Sequence, residues 1–218
     1  MWDEATLNLL IQGVGETLYM TLVSTLFAYI IGLPLGILLV TSAKDGIRPC
    51  PWLFKTLDVI VNLTRSIPFL ILLVAIIPFT RLVVGTSIGS TATIVPLTLS
   101  AAPFVARLVE SSIKEVDVGV IEAAQSMGAS NMQIIWKVML PEAKPSLIVG
   151  CAIATTTILG YSAMAGFVGG GGLGAIATNY GFYRYQYDVM LVTVILLVLI
   201  VQVLQGIGMK AAGFSNKR

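Results

Sequence analysis

Five long apolar stretches determine what this chain can fold into. Each is close to the ~20 helical residues that cross a hydrocarbon layer ~30 Å thick. Backbone groups in lipid must be paired within the chain, and an open chain can do this only as a helix. The sequence therefore predicts an all-α membrane protein with five transmembrane helices. The stretches run roughly from Thr17 to Val40, Leu57 to Phe79, Ala92 to Val109, Ser146 to Phe167 and Asp188 to Ile207.

Composition agrees with lipid as the solvent. The chain has 218 residues, of which 56% are hydrophobic and 11% charged, and its mean hydropathy is +0.92. A soluble fold of this length could not bury so much apolar surface. We expect residues 1–218 to form one transmembrane domain.

Several classes of function lose their usual residues. The chain contains no His, which removes the commonest general base and metal ligand. Cys50 and Cys151 lie in different segments, far apart, so they indicate neither a metal site nor a disulfide framework. The net charge of +2 comes without a basic patch interleaved with aromatic residues, and it indicates no nucleic acid partner. We expect no catalytic residue and no metal.

The first fourteen residues have two interpretations. The first charged residues are the acids Asp3 and Glu4, whereas a cleavable signal peptide would carry Lys or Arg there, so we do not expect a signal peptide. Leu7, Leu10 and Ile11 recur at helical spacing, so residues 2–14 form either a short helix lying in the membrane interface or an extension of the first span.

Cationic residues predict the orientation. Eleven lie on one side of the five spans and two on the other, so the positive-inside rule makes the first side cytoplasmic. The N-terminus is then outside and the C-terminus inside. The eleven are Lys44, Arg48, Lys55, Arg65, Arg107, Lys114, Lys137, Lys144, Lys210, Lys217 and Arg218, and the two are Arg81 and Arg184.

Prolines and glycines mark special points in the spans. Proline removes an intrahelical bond and favours a kink, and five prolines fall in the first three spans. Gly32 and Gly36 form a G-x3-G pair, which allows two helices to approach closely. Bent helices suit a pathway that opens and closes, and they also suit ordinary helix packing. The prolines are Pro34, Pro68, Pro78, Pro96 and Pro103.

A charged loop of about residues 115–141 joins the third and fourth spans. Asp117 is a suitable N-cap, because its carboxylate can accept from free amides at a helix start. We expect a helix from about Val118 to Met127, ended by Gly128 in the left-handed conformation.

A second helix is predicted directly after this corner. Ser130 can cap a helix from Asn131 to Met139, and Pro141 is expected to block its continuation. The loop would then consist of a short helix, a tight corner and a helix leading back to the membrane.

The loop carries a recognisable pattern. It reads E-A-A-x3-G-x9-V-x-L-P between Glu122 and Pro141. It resembles the EAA signature of ABC import permeases, E-A-A-x3-G-x9-I-x-L-P, with Val138 where that family usually has Ile. In that family the segment is the cytoplasmic loop that docks on a separate ATPase. The resemblance implies an ATPase-coupling role for Glu122, Ala123, Ala124, Gly128, Leu140 and Pro141.

The residue types suit a docking helix. Ala123 and Ala124 give a face with little side-chain bulk, so that a groove on a partner can close around it. Ile121 and Met127 add apolar surface, and Glu122 supplies a charge for a partner's Arg, Lys or amide. The alternative is a linker that only joins two spans.

Longer strings narrow the resemblance to the permease subunit of bacterial methionine importers. They cover nearly the whole chain from about Gly15 onward. The strings are residues 64–69, 77–81, 84–89, 101–107 and 160–164.

What the resemblance implies is a type I ABC importer permease in the bacterial cytoplasmic membrane, working as a homodimer. Two copies of an ATP-binding subunit would attach on the cytoplasmic side, and an extracytoplasmic substrate-binding protein or lipoprotein would deliver ligand. The implied activity is import of D- and L-methionine and related derivatives by alternating access. The chain has no G-x4-G-K-[ST] phosphate loop. We therefore expect ATP to be bound by the partner subunit, and no enzymatic activity or cofactor in this chain.

The fourth span contains the candidate pathway. Its hydroxyl residues either bond back to their own helix or line a translocation pathway. We assign Tyr161, Ser162 and Met164 to the pathway, with Met164 as a gate near its outer end. An unbranched thioether adapts its shape, which suits a seal that re-forms in each cycle.

Two neighbouring features have open interpretations. The glycine run 169–172 lies outside by the charge count and lacks a following Lys, so it is not a nucleotide loop. It is either flexible surface or a place of close approach to the delivery protein. The aromatic residues that follow suit a belt at the membrane interface, and they are Tyr180, Phe182, Tyr183, Tyr185 and Tyr187.

Two charge pairs are predicted near span ends. Asp58 and Arg65 are seven residues apart on one helix face, and Arg107 and Glu110 are three apart. Charge within a membrane is costly and often functional, but these residues also suit structural pairs or snorkelling side chains.

Other functions stay open at this point. The chain is alternatively an ABC importer permease for another small amino acid or polar solute, or a passive channel that needs no ATPase. A membrane-embedded enzyme would need clustered ionisable residues in the spans, and the acids here lie mostly at span ends.

Overall fold

The first helix is longer than a membrane crossing. The computed structural model describes residues 4–215, and its helix α1 runs without interruption over Glu4–Ser42. At ~1.5 Å per residue it is about 58 Å long. The prediction of a separate interfacial helix is therefore wrong, and the alternative, an extension of the first span, is confirmed. Nothing in the sequence caps or breaks the helix near Gly13, which packs on the side chain of Leu173. Trp2 and Asp3 lie outside the described residues.

The second span, predicted from Leu57 to Phe79, is broken at Pro68, one of the prolines at which the sequence predicts a kink. Helix α2 (Pro51–Ser66) is followed by α3 (Phe69–Ala75) at an angle of 99°, and α4 (Ile77–Val84) completes the segment. Pro68 explains the break, because its ring forces the preceding residue out of helical geometry. Ile67 accordingly adopts an extended backbone with ψ 123°.

Other prolines leave their helices continuous. Helix α1 continues through Pro34, and α5 (Ser90–Lys114) continues through Pro96 and Pro103. These two helices form the most extensive helix pair of the chain. The expected close approach is confirmed, since methyl groups at Gly32 and Gly36 would each lie 2.7 Å from a carbonyl oxygen of α5.

The charged loop leads directly into the fourth span. Helix α6 (Val118–Ser126) is followed by α7 (Asn131–Ile134), a π-helical turn (Ile135–Met139) and α8 (Leu140–Ala165). The expected block at Pro141 is wrong. The π-helical turn shifts the bonding pattern by one residue, and the N–H of Leu140 donates to the carbonyl of Ile135. Pro141 therefore falls in the first turn of α8, where a missing N–H is tolerated.

Residues 166–182 form short helical turns that pack back on α8, and a long helix follows them. A 3-10 turn (Gly166–Val168) leads to α9 (Gly172–Ile176), a π-helical turn (Ala177–Phe182) and α10 (Tyr187–Ser215). Only Val189, Thr193 and Ala212 of α10 are buried, so this helix presents most of its apolar surface outward.

Helices α1, α5 and α8 form the core. Met20, Leu97 and Ile158 lie in one buried cluster that joins them. Four helical segments are long and apolar enough to cross a membrane, and the bent α2–α3 pair supplies a fifth. The described residues contain helices, turns and bends but no strand. The all-α, five-span fold class is thus confirmed.

The two ends of the bundle differ in character. At one end, which we call the coupling end, loop 43–47 and helix α6 line a common cavity of about 180 Å³. At the other, which we call the glycine end, the N–H of Gly89 donates to the carbonyl of Gly169 at 2.9 Å. Which end faces the cytoplasm stays a prediction, and Lys217 and Arg218 of the charge count lie outside the described residues.

The α1–α5 contact generates a test of packing. Replacing Gly36 by Ala places a methyl group 2.7 Å from the Ala106 carbonyl and 2.6 Å from Val109, so the helices must separate. We expect the free energy of unfolding to fall by about 1–3 kcal/mol, which is typical of overpacked contacts. Thermal unfolding of the purified chain in detergent measures it.

Gly15→Ala is the matched control for Gly36→Ala. It makes the same change in the same helix, where no heavy atom lies within 4 Å. Its unfolding midpoint should stay unchanged or rise, because Ala is the better helix residue. Equal effects of the two changes would contradict a close α1–α5 approach.

Candidate functional site: the coupling loop and the fourth span

Helix α6 begins where the sequence predicts. The Asp117 carboxylate accepts from the backbone N–H of Gly119 at 2.7 Å, which satisfies one of the free donors of the first turn. Asp117 itself has an extended backbone with ψ 125°. Its role as N-cap is confirmed.

The end of α6 explains the spacing within the E-A-A-x3-G pattern. Gly128 has φ +77°, and its N–H donates to the Gln125 carbonyl at 2.9 Å. The N–H of Ala129 donates to the Ala124 carbonyl at 3.1 Å. These two bonds form a Schellman motif, which needs a left-handed residue four positions after the one whose carbonyl it closes. Ala124 and Gly128 hold those two positions.

The next helix starts with a capping box. The hydroxyl of Ser130 accepts from the Gln133 N–H at 3.4 Å, and the Gln133 side chain accepts from the Ser130 N–H at 2.9 Å. Two free donors are satisfied reciprocally. The cap at Ser130 is confirmed, and ten residues, 124–133, contain both the end of one helix and the start of the next.

The two alanines do not share a face, contrary to the prediction. Consecutive residues of a helix point about 100° apart. Ala123 is exposed, whereas Ala124 is 5% exposed and packs in the core cluster with Val116 and Ile134. Glu122 is exposed beside Ala123. The outward surface of α6 is therefore Glu122 and Ala123, while Ala124 anchors the helix.

Four large apolar side chains in or near this helix are exposed, and the sequence analysis identified only Met127 of them. Val118, Met132 and Trp136 are 65%, 65% and 61% exposed, and Met127 is 81% exposed. We call these four residues the loop patch. Large apolar side chains exposed outside the spans are candidates for contact with a partner. The available signal was the Trp in a charged loop outside the spans.

Leu140 and Pro141 occupy the junction of loop and span. Leu140 is half-buried against the core cluster, and Pro141 is exposed in the first turn of α8. They hold the end of the loop against the bundle, whereas Glu122 and Ala123 lie on its surface. The coupling role of all six residues stays a prediction.

The threonine hydroxyls of the fourth span bond to their own helix, whereas Ser146 at its start donates to the Ser112 hydroxyl of α5 at 3.0 Å. Thr155 and Thr157 donate to Cys151 and Ile153 carbonyls at 2.8 Å, and Thr156 donates to the Ala152 and Ile153 carbonyls. This supports helix-internal bonding over a pathway lined by free hydroxyls.

The three pathway candidates have different surroundings. The ring of Tyr161 stacks on Phe69, with centroids 4.8 Å apart, just after the Pro68 break. Ser162 is 1% exposed and donates to the Leu159 carbonyl at 2.7 Å. Met164 is 44% exposed, so it alone of the three presents a large surface. Their assignment to the pathway stays a prediction.

Met164 borders an apolar cavity of about 270 Å³ between α8, residues 166–182 and α10. A second thioether, Met190, lies on the same cavity. The one hydroxyl in its lining, that of Thr178, donates to the Gly174 carbonyl. The cavity is lined by Ala163, Met164, Phe167, Gly174, Ala177, Thr178, Phe182, Met190 and Leu197.

The glycine run packs against two helices. The N–H of Gly172 donates to a Glu16 carboxylate oxygen at 2.7 Å, and the hydroxyl of Ser90 donates to the same oxygen at 2.9 Å. A side chain at Gly171 would collide with both groups. Flexible surface is therefore the wrong description of this run, and its approach to a delivery protein stays untested.

The charge pairs are only partly as predicted. Arg107 donates to Glu110 at 2.6 Å, as expected. Asp58, however, pairs with Arg107 of α5, and not with Arg65 of its own helix. Arg65 is exposed and makes no ion pair within residues 4–215. Inter-helix packing brings Asp58 closer to a cation 49 residues away than to one seven away.

Comparison with known proteins identifies the family. A model of the binding-protein-dependent transport system inner membrane component matches residues 32–208. The chain belongs to this family. It is thus a multi-span inner membrane component of a transport system. Within residues 4–215 no three His, Cys, Asp or Glu side chains form a group able to hold a metal ion.

Individual relatives share most of their length with this inner membrane component. "Probable D-methionine transport system permease protein MetI" of Vibrio cholerae is 51% identical over 95% of this chain and 92% of its own. The D-methionine transport system permease protein MetI of Escherichia coli (strain K12) is 53% identical over 75% of this chain and 76% of its own. A chain in a solved inward-facing conformation of the MetNI methionine ABC transporter superposes with a TM-score of 0.98. It is 49% identical, and the match covers 99% of this chain and 100% of that chain.

The corner at Gly128 generates a local prediction. Val at this position would have to adopt φ +77°, at a cost of about 1–2 kcal/mol. We expect the C-terminal amides of α6 to exchange hydrogen with solvent about tenfold faster. Hydrogen exchange with mass spectrometry of residues 118–129 measures this.

Gly128→Asn is the control, because Asn tolerates the left-handed conformation better than other side-chain-bearing residues. Its exchange should stay close to that of the unmodified chain. If Val and Asn accelerate exchange equally, side-chain bulk matters at this corner and backbone conformation does not.

Proposed function

We propose that this chain is the membrane permease of an ATP-driven methionine importer. The observation that carries the proposal is the match along 99% of the chain to a chain of the MetNI methionine ABC transporter, at 49% identity and a TM-score of 0.98. The named MetI permeases of Vibrio cholerae and Escherichia coli support the same substrate class, D-methionine. The L-enantiomer and related derivatives are included in the proposal.

The energy for transport comes from a separate ATPase that binds the coupling end. Glu122 and Ala123 on the outward face of α6, with the loop patch around them, form the surface for it. The Schellman motif and the capping box hold this surface in one geometry, so a partner that grips α6 moves the bundle and does not merely deform a loop. Two ATPase subunits and two copies of this chain complete the assembly.

The coupling end faces the cytoplasm in this proposal. The excess of Lys and Arg at that end supports the orientation, with the N-terminus outside and the C-terminus inside. A substrate-binding protein or lipoprotein then delivers methionine at the glycine end. The packed run 169–172, held by Glu16 and Ser90, offers it a firm surface.

Transport proceeds by alternating access. ATP binding draws the two α6 helices together and turns the bundle outward, and ATP hydrolysis returns it. Met164 closes the outer part of the pathway against its counterpart in the second copy, with Tyr161 below it in the same helix. The exposed thioether and the apolar cavity beside it support this role, because both are available to a facing surface.

The ATPase contact is tested by co-purification. Glu122→Arg reverses a charge on the exposed face of α6, and we expect an ATPase that co-purifies from native membranes in mild detergent to be lost at least tenfold, the order of a desolvated charge contact. Quantitative mass spectrometry of the purified fractions measures the ratio. Glu4→Arg makes the same change at the first residue of α1, at the end of that helix away from the coupling end. It serves as the control and should retain the ATPase.

A folded chain that retains no ATPase even without substitution would contradict the importer, and a channel would replace it. Hydrolysis that responds to another small amino acid, but not to methionine, would keep the importer and change the substrate.

The gate is tested by Met164→Ala in the complex reconstituted into vesicles. Shortening the exposed side chain should leave the seal incomplete, so that less methionine is accumulated for each ATP hydrolysed. We expect this ratio to fall about five- to tenfold, as for loss of one apolar anchor of ~1–1.4 kcal/mol. Met190→Ala, in the same cavity but on α10, is the comparison. An unchanged ratio in Met164→Ala would refute the gate.

A further inference from the structure

Four charged side chains form one continuous row at the coupling end. Arg107 of α5 donates to Asp58 of α2 and, at 2.6 Å, to Glu110 of its own helix. Glu110 also accepts from Lys114 at 2.7 Å. Asn62 of α2 accepts from Arg107 at 2.9 Å and strengthens the contact between the helices. We call Asp58, Arg107, Glu110 and Lys114 the charge row.

Burial makes the geometry of the charge row specific. The side chain of Glu110 is 7% exposed, and each of its two oxygens accepts from a different cation. A buried carboxylate that loses a partner is costly, because it is left with an uncompensated charge. Arg107 is held between two acids, which suits the planar fork of a guanidinium. The row therefore has one well-defined arrangement.

Helix α2 depends strongly on this contact. Only Val61 of its sixteen residues is buried, in a small cluster with Leu39 and Ala106. The break at Ile67 and Pro68 follows directly, so no continuous helix joins α2 to the rest of its span. The polar contacts of Arg107 therefore attach α2 to the core beside the apolar contacts of Phe54 and Leu57.

The other end of the row reaches the coupling helix. Lys114 is the last residue of α5, and α6 begins four residues later. Val116 between them is 8% exposed and packs in the core cluster with Ala124, so this connection is firm. Lys114 also lines the 180 Å³ cavity together with Glu122. A displacement of α6 must therefore move the last turn of α5 and with it the row.

We propose that the charge row transmits the displacement of the coupling helix α6 to α2, and that Asp58 and Arg107 are positioning residues for alternating access. The inference rests on the proposed function and adds the path within the chain. A packed ion-pair network that joins a driven element to a hinged one is a physical means of such coupling. Helix α2 then swings about the break at Pro68 while α5 follows α6.

The test uses the complete complex with its ATPase in vesicles, and it measures methionine accumulated per ATP hydrolysed. Asp58→Asn removes the charge and keeps the shape. We expect the ratio to fall about fivefold or more, with hydrolysis in the absence of substrate within about twofold of the unmodified complex. Asp58→Glu should restore the ratio. Arg65→Gln, on the same helix but outside the row, should leave it unchanged.

A double-variant cycle separates transmission from simple attachment. Asp58 and Lys114 lie at opposite ends of the row and share no hydrogen bond among the described residues. If the row acts as one unit, Asp58→Asn combined with Lys114→Gln lowers the ratio no further than the worse single variant. If Asp58 and Lys114 contribute independently, the fall in the ratio in the double variant equals the product of the two single falls.

Three results would each contradict transmission through the charge row. An unchanged ratio in Asp58→Asn, multiplicative effects in the cycle, or parallel loss of hydrolysis and transport that Asp58→Glu does not restore would overturn the inference. If Asp58→Asn fails to fold, Lys114→Gln tests the row from its other end and should lower the ratio in the same way. An unmodified chain that neither binds an ATPase nor accumulates methionine would refute the proposed function instead.

Discussion

The close contact between α1 and α5 is the interaction on which the rest of the structure depends. Gly32 and Gly36 bring the two backbones together, and α5 then serves as the support for other elements. The Ser90 hydroxyl in its first turn donates to Glu16, which also accepts from Gly172 of the glycine run. Its Arg107 contacts α2, and its last turn leads into α6. Because lipid supplies no hydrophobic drive between helices, such backbone proximity is a main source of association.

The corner of the coupling loop and the second span differ in how firmly their backbones are held. At the coupling end, a Schellman motif at Gly128 and a capping box at Ser130 pair the backbone donors of residues 128, 129, 130 and 133, so α6 presents Glu122 and Ala123 in one defined geometry. The second span, by contrast, is divided at Pro68, and α2 has little buried surface of its own. The capped helix α6 and the divided second span, joined through α5, are the two parts on which the proposed alternating access depends.

Much of the coupling loop was predictable because its determinants are local. Asp117, Gly128 and Ser130 act through hydrogen bonds to residues within about five positions, so their caps follow from residue type and spacing. The same reasoning failed at Pro141, where a π-helical turn accommodates the proline, and at Ala124, whose burial depends on Val116 and Ile134 folding over it. The exposure of Trp136 likewise required the positions of its neighbours.

The sequence by itself determined the five spans, their helical character and the corner of the coupling loop, since apolar length and local capping act within short stretches of chain. Only the tertiary structure decided that α1 is continuous from Glu4, that Asp58 pairs with Arg107 and not with Arg65, and that the glycine run is clasped by Glu16. Those outcomes join residues as far as 156 positions apart. Helix packing selects them, because each side chain takes the partner that the assembled bundle brings within hydrogen-bonding distance.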